Sequence, residues 1–207
     1  MAAVTTSTLR SGSVRNQILD AAEQLMAERG FSATSVAEVC ARSKLPVGSI
    51  YWHFKSKDGL LAAVMERGNE RFFASLPDPA ALPGSPREQF DAWFAANTAT
   101  LSDRPLFLRL HLNLCLLDGT EETVADIVRR VRRTATTQIE HALRPWVAEF
   151  QPHQADQLTQ QLAAYMLAVV DGSFIAQHVD NARIKPLLDQ LHRVLCATVE
   201  SGHQNIV

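Results

Sequence analysis

Residues 34–57 run TSVAEVCARSKLPVGSIYWHFKSK, from Thr34 to Lys57. Ser35 and Glu38 stand three apart, the spacing of a capping box in which each side chain satisfies a backbone donor of the other's turn. Val36, Val39 and Cys40 then fall on one side of a helix that can only be short, because Ser43-Lys44-Leu45-Pro46 interrupts it. A third helix is expected from about Pro46 to His53, with the proline presetting its first turn. Ser56 is placed to cap a longer one, whose inner stripe is Leu60, Leu61 and Val64. Upstream, Ile18, Ala22, Leu25 and Met26 recur at helical spacing after Ser13, a plausible N-cap, and Gly30 closes that helix before Phe31. A helix, two short helices joined by a tight turn, and a following helix describe a helix-turn-helix unit.

Within the third helix, Ile50 and Phe54 are four apart and face inward. Val47, Gly48, Ser49, Tyr51, Trp52 and His53 are left to the opposite side. Three consecutive helical residues span about 200°, so Tyr51, Trp52 and His53 cannot share one buried face. An exposed aromatic beside Lys57 favours a binding surface over a core. The whole run resembles the signature of the TetR family, in which a threonine-started helix leads to a G-(T/S)-(L/I)-Y-x-(H/Y)-F recognition helix and a lysine opens the next one. The match covers about the first 65 residues. It implies a homodimeric, one-component transcriptional repressor with a helix-turn-helix head and a helical body that binds an effector.

The residue chemistry suits double-stranded DNA. Gly48 lacks a side chain and lets backbone approach a duplex. Tyr51 and His53 can donate to phosphates, and Lys57 adds a charge. Val47, Ser49 and Trp52 are candidates for base edges, Val47 for a thymine methyl. Thr34 and Ser35 stand at a helix N-terminus, a natural phosphate site, and Arg10 and Arg15 could follow the backbone from an N-terminal arm. Two positions depart from the family pattern. Lys44 stands at the turn where glycine is usual, at a cost of about 1 kcal/mol if its backbone is left-handed, and is a further DNA-binding candidate by adding a charge near phosphate; Pro46 replaces the usual serine cap.

Composition agrees with this reading. Of 207 residues, 46% are hydrophobic and the net charge is −2, values that exclude a disordered chain. The charge is uneven: residues 1–57 hold seven Lys/Arg against four Asp/Glu, and residues 58–207 thirteen against eighteen. A basic head on an acidic body fits DNA contact at one end. Cys40, Cys115 and Cys196 are odd in number and widely spaced, which suits reduced thiols in a cytoplasmic protein and no zinc site. No apolar run is expected to reach the roughly 18 residues of a membrane span, and the polar first dozen residues read as a flexible arm.

The remainder is helical in period, giving an all-α chain of about nine helices. The expected organisation is an arm over 1–12, a helix-turn-helix domain over 13–57, and an effector-binding and dimerisation domain over 58–207. The proline-rich stretch 76–84 is the clearest boundary signal, after which Ser85-Pro86-Arg87-Glu88 restarts a helix. Further helices are expected over 105–117, 121–144, 153–179 and 184–201. Breaks are expected at Asp118-Gly119 and Asp180-Asn181, an end or kink at Pro145, and an interruption at Asp171-Gly172-Ser173. Trp93, Asn97, Phe107, His111, Asn113, Tyr165, Phe174 and His178 are candidates for the effector site, although large side chains on inner stripes are more often core. The four-arginine run Arg129, Arg130, Arg132 and Arg133 reads as a solvated, ion-paired face or a site for an anionic effector. The family resemblance implies a dimer through the last two helices, for which Leu188, Leu191 and Leu195 supply an apolar seam. No cofactor, metal or catalytic residue is expected. A second reading, a helical enzyme or metal protein, centres on His111 and Cys115, four apart on one face.

Overall fold

The computed structural model describes residues 2–103, 105–116 and 122–201, with side chains from Ser13 onward. Among these residues there are nine α-helices and no strand: α1 (Ala2–Arg29), α2 (Val36–Ser43), α3 (Val47–Phe54), α4 (Lys57–Ala74), α5 (Pro86–Ser102), α6 (Leu106–Cys115), α7 (Glu122–Phe150), α8 (Ala155–Val179) and α9 (Ile184–Glu200). Single 3₁₀ turns at Pro79–Ala81 and Pro152–Gln154 precede α5 and α8. The expected breaks at Asp118 and Gly119 lie outside the described residues.

Two compact units emerge, Met1–Phe72 with Arg104–Val131, and Phe73–Asp103 with Arg132–Val207. This division differs from the expected boundary after residue 57. The inner stripe of α4 is buried at Leu60, Leu61, Val64 and Met65, together with Ile18, Leu19 and Met26 of α1, so α4 belongs to the core of the first unit. α6 packs there too, against α1. Gly68 is where α6 meets α4: a β-carbon at this position would lie 2.5 Å from the Cβ of Phe107. Phe107 also pairs with Phe72, ring centroids 5.6 Å apart. The second unit is built on Phe90, Trp93, Leu143, Trp146, Leu162 and the Leu188, Leu191 and Leu195 seam of α9, all buried.

Two helix starts follow the predicted caps. Ser35 accepts from Glu38 N at 3.2 Å while Ser35 N donates to Glu38 Oε2 at 2.8 Å. Ser85 and Glu88 repeat the arrangement at 3.3 and 2.8 Å, with Pro86 in the first turn. The hydrogen bonds from Ser35 and Ser85 favour the ionised carboxylates and hold both glutamates below the ordinary 4.5.

Several expectations need correction. α1 begins at Ala2, so Ser13 lies inside a helix and not at its cap, and the backbone expected to form an arm is helical. Pro46 occupies the N-cap of α3, with extended backbone, and the helix proper starts at Val47. α7 continues through Pro145 to Phe150. Trp146 and Val147 are buried just beyond the proline, and Pro145 and His141 are exposed, so water can take the carbonyl that loses its donor. Asp171-Gly172-Ser173 does not interrupt α8, in which Ser173 Oγ donates to Val169 O at 2.7 Å. Finally, residues 152–179 do contain a window long and apolar enough to cross a bilayer, of which 33% is buried.

Candidate DNA-binding surface

The tight turn between α2 and α3 is made by Lys44. Its backbone is left-handed, φ 56° and ψ 30°, and the Leu45 N–H returns to Cys40 O at 3.3 Å. This is the conformation that glycine adopts without steric cost, so Lys44 carries strain of the predicted kind. Gln17 of α1 donates to Ser43 O at 2.7 Å and fixes the turn from behind. The junction from α3 to α4 is equally constrained. Lys55 has φ 67°, and Ser56 Oγ caps α4 by accepting from Gly59 N at 2.9 Å. A β-carbon on Gly59 would lie 2.1 Å from Phe54 O, so this junction closes only with glycine at 59.

These turns present α3 by one face. Ile50 and Phe54 are buried, as their spacing requires, and Val47, Tyr51 and Trp52 are 52%, 49% and 67% exposed. Gly48 is exposed as well, and a β-carbon there would meet nothing within 4 Å. Nothing inside the chain therefore demands glycine at a helical position where it costs stability. Ser49 and His53 are half-buried. His53 sits edge-on to the Trp52 ring, centroids 4.5 Å apart. Partial burial, and secondarily the charge of Arg15, push its imidazole below 6.5 and keep it neutral near pH 7. Arg15 is exposed and its guanidinium lies 5.6 Å from the centroid of the Phe54 ring. Lys44 and Lys55, which precede and follow α3, are exposed, as is Arg15.

Not every predicted contact is available. The Thr34 hydroxyl is buried and donates to Gly30 O at 2.9 Å; it locks the α1–α2 corner, where Gly30 itself has φ 85°. Ser35 remains exposed at the start of α2 with its hydroxyl engaged by Glu38. Lys57 is half-buried, donates to Ser32 O at 3.2 Å and lies 4.4 Å over the Phe31 ring, so in the free protein it braces that corner. Three residues escaped the sequence analysis. Lys55 and Gly59 make the α3–α4 junction. Arg67 of α4 is buried and donates at 2.7 Å to both Asp20 and Glu23 of α1. A signal existed for the last: the stripe Leu60, Leu61, Val64 continues at helical spacing onto Arg67.

Of the effector candidates, Phe107 and His111 are buried in the first unit and Asn113 is exposed there; Trp93, Asn97 and Phe174 are buried in the second, and Tyr165 and His178 are exposed. His111 Nε2 stands 3.5 Å from Cys115 Sγ, as the four-residue spacing requires. No cluster of three metal-binding side chains occurs among the described residues. Three arginines of the run are ion-paired, Arg129 to Glu122 and Asp126, Arg130 to Glu66, and Arg132 to Asp171.

Residues 18–64, from the second half of α1 into α4, match the family model of bacterial regulatory proteins, tetR family. The N-terminal segment 18–64 is thus a TetR-type regulator domain. It is 27% identical over 162 residues to the HTH-type transcriptional regulator AcrR of Shigella flexneri, covering 76% of this chain and 75% of that one. It is 24% identical over 206 residues to the HTH-type transcriptional repressor DhaR of Mycobacterium sp. (strain GP1), covering 93% and 96%. A TetR-like transcriptional regulator from Rhodococcus sp. RHA1 has the same fold, with a TM-score of 0.68 at 19% identity over 90% of this chain and 95% of that one. α3 lies within the matched residues.

Proposed function

We propose that the regulator is a homodimeric repressor that places α3 of each copy in successive major grooves of a pseudo-palindromic operator, and that a small molecule bound by its helical body releases it. The observation that carries this reading is the exposed Val47, Gly48, Tyr51 and Trp52 face, with an open space at Gly48 that only an outside partner explains. Val47 and Trp52 would touch base edges, with Ser49 beside them. Tyr51, His53, Lys44, Lys55 and the exposed N-terminus of α2 at Ser35 would meet phosphates. Lys57 would reach phosphate only by leaving Ser32 and Phe31. One short helix reads few bases, which is the reason to expect two copies on a two-fold site.

Dimerisation through α8 and α9 is supported by an unburied apolar stripe. Ala164, Ala168, Gly172, Ile175 and Val179 follow one another along the exposed side of α8, beside Tyr165, and Leu187 is exposed on α9. Gly172 is open to close approach. The membrane-like hydropathy of this helix, mostly unburied in one copy, fits a helix that a second copy covers. A protein of this kind acts in the cytoplasm, where its DNA is.

The test is binding of the purified regulator to a fluorescent fragment of its own upstream DNA across a salt series, with and without competitor. Saturable, competitor-resistant binding with a steep salt slope, lost in a folded Tyr51→Ala variant, is the expected result. Binding indistinguishable from that to random DNA and insensitive to Tyr51→Ala would overturn it.

A further inference from the structure

The direction in which α3 points is set where α2 hands over to it. Ser43 is the last residue of α2 and is buried. Its carbonyl lies past the helix's own hydrogen-bond ladder, as the last four carbonyls of any helix do. The next residue, Lys44, holds φ 56° and ψ 30°, a left-handed backbone that a β-carbon disfavours. Because the peptide unit is planar, turning the Ser43–Lys44 peptide changes ψ of Ser43 and φ of Lys44 together. A group that holds Ser43 O therefore holds Lys44 in its unfavourable conformation. That group is the side-chain amide of Gln17 on α1, whose Nε2 donates to Ser43 O at 2.7 Å across 26 residues of sequence. Also on α1, the Arg15 guanidinium lies 5.6 Å from the ring centroid of Phe54, the last residue of α3. α1 thus braces the start and the end of α3. Gln17 itself is exposed and lines an open cleft with Asn16, Gln24 and Arg42, so its amide holds a backbone group without filling a core.

We propose that Gln17 is a positioning residue for operator recognition, acting through the turn and not by contact with DNA: it keeps the strained Lys44 turn, and with it α3, in the arrangement that reads base edges. The inference rests on the reading of α3 as the DNA-contacting helix. With glycine at 44 the left-handed turn would stand unaided; with lysine there, it needs an outside hold. Without the Gln17 donor, Ser43 O turns to water in the cleft and Lys44 relaxes toward right-handed backbone. A copy in the relaxed turn does not fit its half-site, and apparent affinity falls with the competent fraction. Non-specific binding depends on charge near phosphate and not on how α3 is seated, so it is spared.

The experiment compares the full-length protein with Gln17→Met, which keeps the length of the side chain and removes the donor. Fluorescence anisotropy gives Kd for the upstream fragment and for a random duplex of equal length at one salt concentration. Gln17→Met should raise Kd for the upstream fragment at least about 10-fold and leave Kd for the random duplex within about 2-fold. Gln24→Ala removes an amide of the same cleft whose partner is the Arg42 side chain, and it should change neither. In a Lys44→Gly background the effect of Gln17→Met should shrink below about 3-fold, because glycine holds the turn by itself. Hydrogen exchange of the free protein is read in parallel: Gln17→Met should speed exchange of the amides between residues 44 and 50 and leave those of α1 and α4 unchanged. An unchanged Kd for the upstream fragment, equal losses on both duplexes, or the same loss in the Lys44→Gly background overturns the proposal. So does exchange that rises uniformly across α1–α4 or not at all. An unsubstituted protein that does not distinguish the two duplexes overturns the DNA reading instead, and the exchange pattern still decides whether Gln17 holds the turn.

Discussion

Replacing Gly48 by alanine should move stability and DNA binding in opposite directions. Gly48 is the second residue of α3, its backbone is helical, and an added β-carbon would meet nothing within 4 Å. Inside a helix, alanine is better than glycine by roughly 0.5–1 kcal/mol, and the first-turn position argues for the lower end. At this chain length about 0.5 kcal/mol raises Tm by roughly 1–2 °C. On DNA, the same methyl occupies the space where backbone would approach the duplex. If each half-site loses about 1 kcal/mol, the low end of a disrupted base contact, two half-sites lose about 2 kcal/mol, or roughly 30-fold in Kd. Scanning calorimetry and fluorescence anisotropy on the upstream fragment at one fixed salt concentration measure the two effects. Unchanged affinity in a Gly48→Ala protein with raised Tm would refute the assignment of this face to DNA.

Lys44 separates strain from charge: Lys44→Gly should stabilise by about 1 kcal/mol and Lys44→Ala should not, and both should lower the salt slope of DNA binding by about one per copy. Arg67→Ala should destabilise by about 3 kcal/mol, because it strands Glu23, whose side chain is 16% exposed; Asp20→Asn should cost less than about 1 kcal/mol, its side chain being 57% exposed. Thermal melts of the three proteins check both figures. Glu38 and Glu88 have depressed pKa values in the folded state, so their contribution is present above the ordinary 4.5 and is lost as pH falls through the folded values. The melting temperature should drop on acidification below pH 4.5, less steeply in a Ser35→Ala/Ser85→Ala protein. DNA contact at His53 would raise a pKa that is low in the free protein, so operator affinity should grow as pH falls from 7.5 to 6, and His53→Gln should flatten that dependence.

Much of the head was legible in the chain because its signals are local. The capping boxes at Ser35 and Ser85 need only a three-residue spacing, and Ile50 and Phe54 are inward for reasons of helical period alone. The left-handed turn at Lys44 followed from its place between two short helices. Errors arose where distant packing overrode a local rule. Pro145 is a poor helix residue, yet Trp146 and Val147 are buried and carry α7 past it. Ser13 is a good cap, and α1 nonetheless continues through it. Lys57 and Thr34 have the chemistry of phosphate ligands, and the partners that occupy them, Ser32 and Phe31 for one and Gly30 for the other, meet them only across a folded corner.

The division between the two levels follows from the range of the forces. Helical periodicity, capping and turn conformation act over a few residues, and they determined an all-α chain with a helix-turn-helix and a named exposed face. Which polar groups are already satisfied depends on residues far apart in sequence. That decided the Arg67 pairing with α1, the glycine required at 59, and the meeting of Asp91 with His192 across 101 residues. No pattern along the chain encodes such a pair, because a buried charge or thiol acquires its chemistry from the neighbours that tertiary packing brings within reach.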